Sequence, residues 1–116
     1  MENYVDILIK RVEMVKNWKE YVTKIAEAAR SILPDSEIYV FGSVVKGEAT
    51  GGSDVDILII SEGIQKSNLE RAKIKVKIEE LSNLPSYHPF EIHLVNKEEG
   101  EWYLKRIKEL INTKQL

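Results

Sequence analysis

The chain has no cysteine. That excludes a disulfide scaffold, a zinc ribbon and a thiol nucleophile. It has no long hydrophobic run. Stretches such as Ile57 to Ile60 fall far short of the roughly 20 apolar residues that a bilayer-crossing helix needs. It has no surplus of either charge, since 17 basic and 19 acidic side chains leave a net −2. So even a balance argues against a protein whose main work is a non-specific grip on nucleic acid. The opening Met1-Glu2-Asn3-Tyr4 lacks the basic start of a secretory signal, and Asp6, Lys10 and Arg11 interrupt the apolar residues after it. A cytoplasmic protein that does not enter membranes is the expectation.

What is present suits one small domain. The 116 residues are 43% hydrophobic, enough for a modest core, and 31% charged, above the roughly 25% of ordinary domains. No repeat, linker or low-complexity tract appears, so 1–116 reads as a single domain. Glycine is scarce but gathered: four of six fall at Gly42, Gly47, Gly51 and Gly52.

The first 33 residues form an N-terminal helical segment. Leu8, Val12, Val15, Trp18, Val22, Ile25, Ala29 and Ile32 recur every three or four residues, and Pro34 stops the run. Asn17 is a candidate break. Val5, Ile9, Met14, Tyr21 and Ala28 widen the apolar stripe, which suits an ordinary buried helix or a face meant for a partner, including a second copy. Glu37 to Phe41 alternates and reads as a strand, and Asp54 to Ile60 as another. Ser67 with Glu70 resembles a capping box for a helix running to about Leu81, with Leu69, Ala72, Ile74, Val76, Ile78 and Leu81 inward. Its Arg71, Lys73, Lys75 and Lys77 read as a solvated face. Pro89 to Val95 alternates as a third strand. Asn96 with Glu99 caps a C-terminal helix over 97–112, striped by Tyr103, Leu104, Ile107, Leu110 and Ile111. The order is α-β-β-α-β-α. The fold class is α/β (α+β), with a small mixed sheet of about three strands flanked by helices.

The chemistry lies between Phe41 and Ile57. A strand runs into Gly42-Ser43, where glycine permits positive φ or close approach of a ligand. The following amides and the Ser43 hydroxyl can donate to phosphate oxygens, more so if Val44 to Lys46 begins a helical turn. A plain turn with an N-cap serine fits Gly-Ser alone equally well. Asp54 and Asp56, two apart at the start of a strand, share a face. Adjacent carboxylates repel unless a cation lies between them, and hard oxygen donors suit Mg²⁺ or Mn²⁺. A polar strand entry is the plainer alternative. Glu91 stands between Phe90 and Ile92. If its strand pairs beside Asp54 to Ile60, three carboxylates converge; if it is an edge strand, Glu91 and His93 simply face water. His93 shares the face of Glu91 and so borders the site or merely packs. His88 and His93 form no metal-ligand spacing with each other. Trp18 and Trp102 read as packing residues.

Together these residues resemble the minimal nucleotidyltransferase branch of the DNA polymerase β-like superfamily. The family signature is a strand ending in Gly-Ser, ten residues, Asp-x-Asp, then an apolar-acid-apolar strand. Here Gly42-Ser43 is followed by the ten residues Val44 to Ser53 and then by Asp54-Val55-Asp56, with Glu91 in the third position. The resemblance covers about 37–95, the expected catalytic core. Two positions depart from it: Val44 and Val45 stand where many relatives carry arginine, and Glu91 where aspartate is common.

The resemblance implies a nucleotidyltransferase fold and transfer of a nucleoside monophosphate, AMP from ATP, to a hydroxyl. It implies Asp54, Asp56 and Glu91 as catalytic residues and as ligands of Mg²⁺ or Mn²⁺. Gly42, Ser43 and Lys46 would hold the nucleotide phosphates. It also implies a partner, because small relatives are often antitoxins paired with a HEPN-domain toxin that receives the nucleotide. A non-catalytic antitoxin with a vestigial nucleotide site, and a transferase acting on a small molecule such as an aminoglycoside, are the alternatives.

Overall fold

The structure is a computed structural model that describes residues 2–116. The first residue of the expected helical segment, Met1, lies outside the described residues. Asn3 opens helix α1 (Tyr4–Lys16): its side chain accepts from the Asp6 amide at 2.9 Å, and the Asp6 carboxylate accepts from the Asn3 amide at 3.4 Å. The break at Asn17 is real. Its φ of −103° and ψ of 32° end α1 and start α2 (Trp18–Ile32). The two helices have different fates. α2 buries Val22, Ile25, Ala26, Ala28 and Ala29, whereas α1 buries only Met14 and Val15. Leu8 and Val12, expected on the inward stripe, are 43% and 44% exposed beside an open Tyr4, Val5 and Ile9.

After α2 come β1 (Glu37–Phe41), a one-turn helix α3 (Ser43–Lys46), β2 (Val55–Ile60), α4 (Asn68–Leu81), β3 (Phe90–Val95), α5 (Lys97–Arg106) and β4 (Leu110–Asn112), with a closing 3-10 turn over Thr113–Gln115. The sheet order is β3-β2-β1-β4. β1 runs antiparallel to both β2 and β4, and β2 pairs parallel with β3 through the α4 crossover.

Four expectations are corrected. The sheet has four strands rather than three. The helix expected over 97–112 ends at Arg106, and Leu110 to Asn112 pair with Phe41 to Tyr39. The open edge of β1 explains this, because its unpaired amides and carbonyls are satisfied by a short added strand. α4 turns only Ile74 and Ile78 inward, while Leu69, Val76 and Leu81 are more than half exposed. The Ser67 cap is also simpler than expected. The Ser67 hydroxyl accepts from the Glu70 amide, but the Glu70 carboxylate faces Lys73 instead of returning to the cap.

Strand alternation splits the core across the sheet. On one face Ile38, Val40, Ile57, Ile59, Phe90, Ile92 and Leu94 pack with residues of α2 and α4. Full burial of an isoleucine contributes about 1.5–3 kcal/mol, and Ile25, Ile38, Ile57, Ile59 and Ile78 are all at or below 2% exposure. The other face carries a smaller cluster of Leu58, Ile60 and Val95, packed against Tyr39, Phe41, Tyr103 and Ile107. Gly100 brings α5 down on this face. A β-carbon there would lie 2.7 Å from Ile60 Cγ2. Toward the starts of β2 and β3 the same face turns polar.

Candidate metal and phosphate site

Asp56 is the one residue of β2 that is not buried. It points to the α5 side of the sheet with Leu58 and Ile60, at the end where apolar packing stops. The parallel register sets Asp56 opposite Glu91 and Leu58 opposite His93. Period-two alternation then puts Asp56, Glu91 and His93 on one face. His93 Nε2 lies 3.3 Å from Asp56 Oδ1 and 3.9 Å from Glu91 Oε1. One donor atom from each of the three falls within 4.8 Å of the others. The His93 ring is held by Phe41, with centroids 5.4 Å apart, and by Tyr103 at 6.3 Å. Glu91 sits on an edge strand and its side chain is 54% exposed, so it is an open acid and not one buried in a central strand.

Gly42 makes room for this cluster. Its φ is +89°, and a β-carbon there would stand 2.5 Å from Asp56 Oδ2. Both facts require glycine. The chain then turns into α3, whose Val45 and Lys46 amides donate to the Gly42 carbonyl at 3.1 and 3.2 Å. The Ser43 and Val44 amides open this turn and have no preceding helical carbonyl to donate to. The short helical turn expected after Gly-Ser is therefore present beside Asp56. Lys46 is exposed at the last position of α3.

Asp54 lies outside the three-residue donor group, although it lines an open cleft together with Glu91. It precedes β2, and its 57% exposed carboxylate accepts from Arg11 Nη2 at 3.2 Å. Arg11, from α1, also donates through Nη1 to the carbonyls of Tyr87 and His88, at 2.5 and 3.2 Å. One guanidinium thus ties α1 to Asp54 and to the loop before β3. That loop is fixed from within by His88, whose Nδ1 accepts from the Phe90 amide at 3.0 Å and whose Nε2 contacts the Glu79 carboxylate. His88 therefore belongs to the scaffold.

The structure brings together Gly42, Ser43, Asp56 and Glu91, and holds Asp54 on Arg11. Two residues join that the motif does not contain. His93 was legible in part from its spacing of two after Glu91. Arg11 carries no sequence signal, since it lies 43 residues from Asp54. The donor set is two carboxylates and one imidazole, accessible from solvent and close enough to share one ion. Cis donors around a divalent ion with bonds of about 2.0–2.2 Å are about 3 Å apart, near the 3.3 Å found between Asp56 and His93. With the space that Gly42 leaves for Asp56, these residues fit a divalent cation.

An antiparallel hairpin whose first strand runs into Gly42-Ser43 and whose second carries Asp56, joined in parallel to a third strand that carries Glu91, frames the site in an α+β domain. The chain belongs to the nucleotidyltransferase domain family, which matches residues 22–114. Two solved structures share its fold. A "putative nucleotidyltransferase" from Sulfolobus solfataricus is 21% identical with a TM-score of 0.59, over 93% of this chain and 83% of that one. A second "putative nucleotidyltransferase" is 28% identical with a TM-score of 0.62, over 78% of this chain and 95% of that one. No curated protein matches the chain. Among the described residues, no helix is long and apolar enough to cross a membrane.

Proposed function

We propose that the domain transfers AMP from ATP, in the cytoplasm, to a hydroxyl of a partner protein of the HEPN class, as the antitoxin of a toxin–antitoxin pair. The observation that carries the transfer reading is the convergence of Asp56 and Glu91 beside the Gly42-Ser43 turn. The acceptor rests on the sequence resemblance and on the open apolar face of α1, which offers a partner Tyr4, Val5, Leu8 and Ile9.

The chemistry follows from the charges. Nucleotidyl transfer needs in-line positioning and neutralised phosphate charge more than covalent help from the protein. The acceptor hydroxyl oxygen forms a bond to the α-phosphorus, the α–β phosphoanhydride bond breaks, and pyrophosphate leaves. The Ser43 hydroxyl and the amides at the start of α3 hold the β- and γ-phosphates, with the Lys46 ammonium as their counter-charge. Asp54, Asp56 and Glu91 are the oxygen ligands in this reading, and Glu91, the most open of the cluster, accepts the hydroxyl proton. A bound divalent ion supplies charge neutralisation and a more acidic acceptor hydroxyl. For Asp54 to serve, it must leave Arg11, whose guanidinium is also anchored on the Tyr87 and His88 carbonyls.

The test is incubation with α-labelled ATP, a divalent ion and the candidate HEPN partner. Label appears on the partner with the native chain and is lost with Asp54→Ala and Asp56→Ala. If these variants still neutralise the partner fully, transfer is not the function. The pairing of Asp54 with Arg11, together with Val44 and Val45 after Gly-Ser, favours a second reading in that case: an antitoxin that acts by binding alone.

A further inference from the structure

We infer that the ion of this site is held by Asp56, Glu91 and His93, with imidazole as a true ligand, and that the site therefore selects a transition ion such as Mn²⁺ over Mg²⁺. The inference deepens the proposed function, because it assigns the ion of that same site.

Three observations converge on it. The donor atoms are already gathered, with His93 Nε2 3.3 Å from Asp56 Oδ1 and 3.9 Å from Glu91 Oε1. The register that faces Asp56 with Glu91 and Leu58 with His93 fixes this grouping in the backbone and does not leave it to flexible side chains. The imidazole cannot easily swing away, because Phe41 and Tyr103 pack on its ring. Meanwhile Asp54, the motif's first acid, is occupied by Arg11, which is itself anchored on two loop carbonyls. The third position around an ion at Asp56 and Glu91 thus falls to nitrogen.

Ligand chemistry then sets the selectivity. Mg²⁺ prefers hard oxygen donors and near-ideal octahedral geometry. An imidazole among the donors shifts preference toward first-row transition ions, while two carboxylates keep Mn²⁺ well suited. The exposure of all three side chains leaves the remaining coordination positions open to substrate oxygens, as a catalytic site requires.

The experiment is Mn²⁺ titration of the untagged full chain, followed by electron spin echo measurement of the Mn²⁺-loaded protein. Directly bound nitrogen gives a ¹⁴N modulation. The chain has only one other histidine, His88, whose two ring nitrogens are both engaged in the scaffold. The expected result is a clear ¹⁴N modulation that disappears in His93→Gln. With it, Mn²⁺ affinity falls at least about tenfold while Mg²⁺ affinity moves less than about twofold. Absence of Mn²⁺ binding, absence of the modulation in the native chain, or its persistence in His93→Gln overturns the inference. Should His93→Gln fail to fold, the native spectrum and competition by Mg²⁺ decide. Equal displacement of Mn²⁺ by equimolar Mg²⁺ overturns the selectivity. Nucleotide transfer without nitrogen coupling would remove this inference and leave the proposed function standing. Nitrogen coupling without transfer would do the reverse.

Discussion

Gly42 shows how closely the site is specified at single residues. Its φ of +89° is one that L side chains rarely adopt, and an added methyl group meets Asp56 Oδ2. Gly42→Ala should therefore lose about 1–3 kcal/mol of stability in urea unfolding, from backbone strain and overpacking together. It should also weaken divalent-ion binding by displacing Asp56. A variant as stable as the native chain would show that the turn has room to relax. The need for glycine here was legible in the sequence, because a strand running into Gly-Ser ten residues before Asp-x-Asp is a specific pattern. Glu91 was legible too, once its strand was placed beside the aspartates. Arg11 was not. A guanidinium that reaches Asp54 and two carbonyls more than 70 residues away leaves no local trace, because its role is set by how α1 lies on the fold.

At the level of elements, the α4–α5 junction is held by Arg71. Its guanidinium donates to both Glu99 carboxylate oxygens, at 3.2 and 2.6 Å, and to the Leu94 and Gln65 carbonyls. Read in the sequence, Arg71 belonged to a solvated basic face. The structure makes it a clamp on the end of β3 and the cap of α5. The Arg71 hydrogen bond, joined by the Asn96 amide, holds the Glu99 carboxyl below its ordinary value. A lowered folded-state value stabilises the protein above the unfolded glutamate range, about 4.3. That stability is lost as pH falls below this range through the folded value. In urea midpoints measured against pH, Glu99→Gln should flatten the acid limb between those values, and an unchanged limb would contradict the clamp.

The end of α5 is where sequence pattern and structure part. Tyr103, Leu104, Ile107, Leu110 and Ile111 keep helical spacing, and neither glycine nor proline interrupts them. Yet Ile107 is extended, with φ −87° and ψ 117°, and Leu110 begins a strand. The decisive force is non-local, because β1 offers an unpaired edge that a helix cannot satisfy. Tyr103 and Ile107 still pack against the minor cluster, so the stripe marked burial correctly and secondary structure wrongly. In α1 the error is opposite. Its stripe is helical as expected, but Leu8 and Val12 stay 43% and 44% exposed.

Across the whole molecule, one sheet does two jobs. Its α2–α4 face buries the main core. Its other face is apolar under α5 and acidic beyond it, so Asp56, Glu91 and His93 stand on a rigid support at the open end of β2 and β3. The net charge of −2 says nothing of this, because the acids of interest are local and elsewhere lysine and glutamate cancel. Likewise the absent cysteines leave oxygen and imidazole as the strong donors, and both are what the site presents. The central claim, nucleotidyl transfer at Asp56 and Glu91, is tested most directly by offering ATP labelled at either the α- or the γ-phosphorus to the native chain with Mn²⁺ and the proposed HEPN-class partner. The expected result is α-label fixed on the partner and γ-label released as pyrophosphate, both abolished by Asp56→Asn. Label fixed from the γ-position, or transfer undiminished in Asp56→Asn, would contradict it.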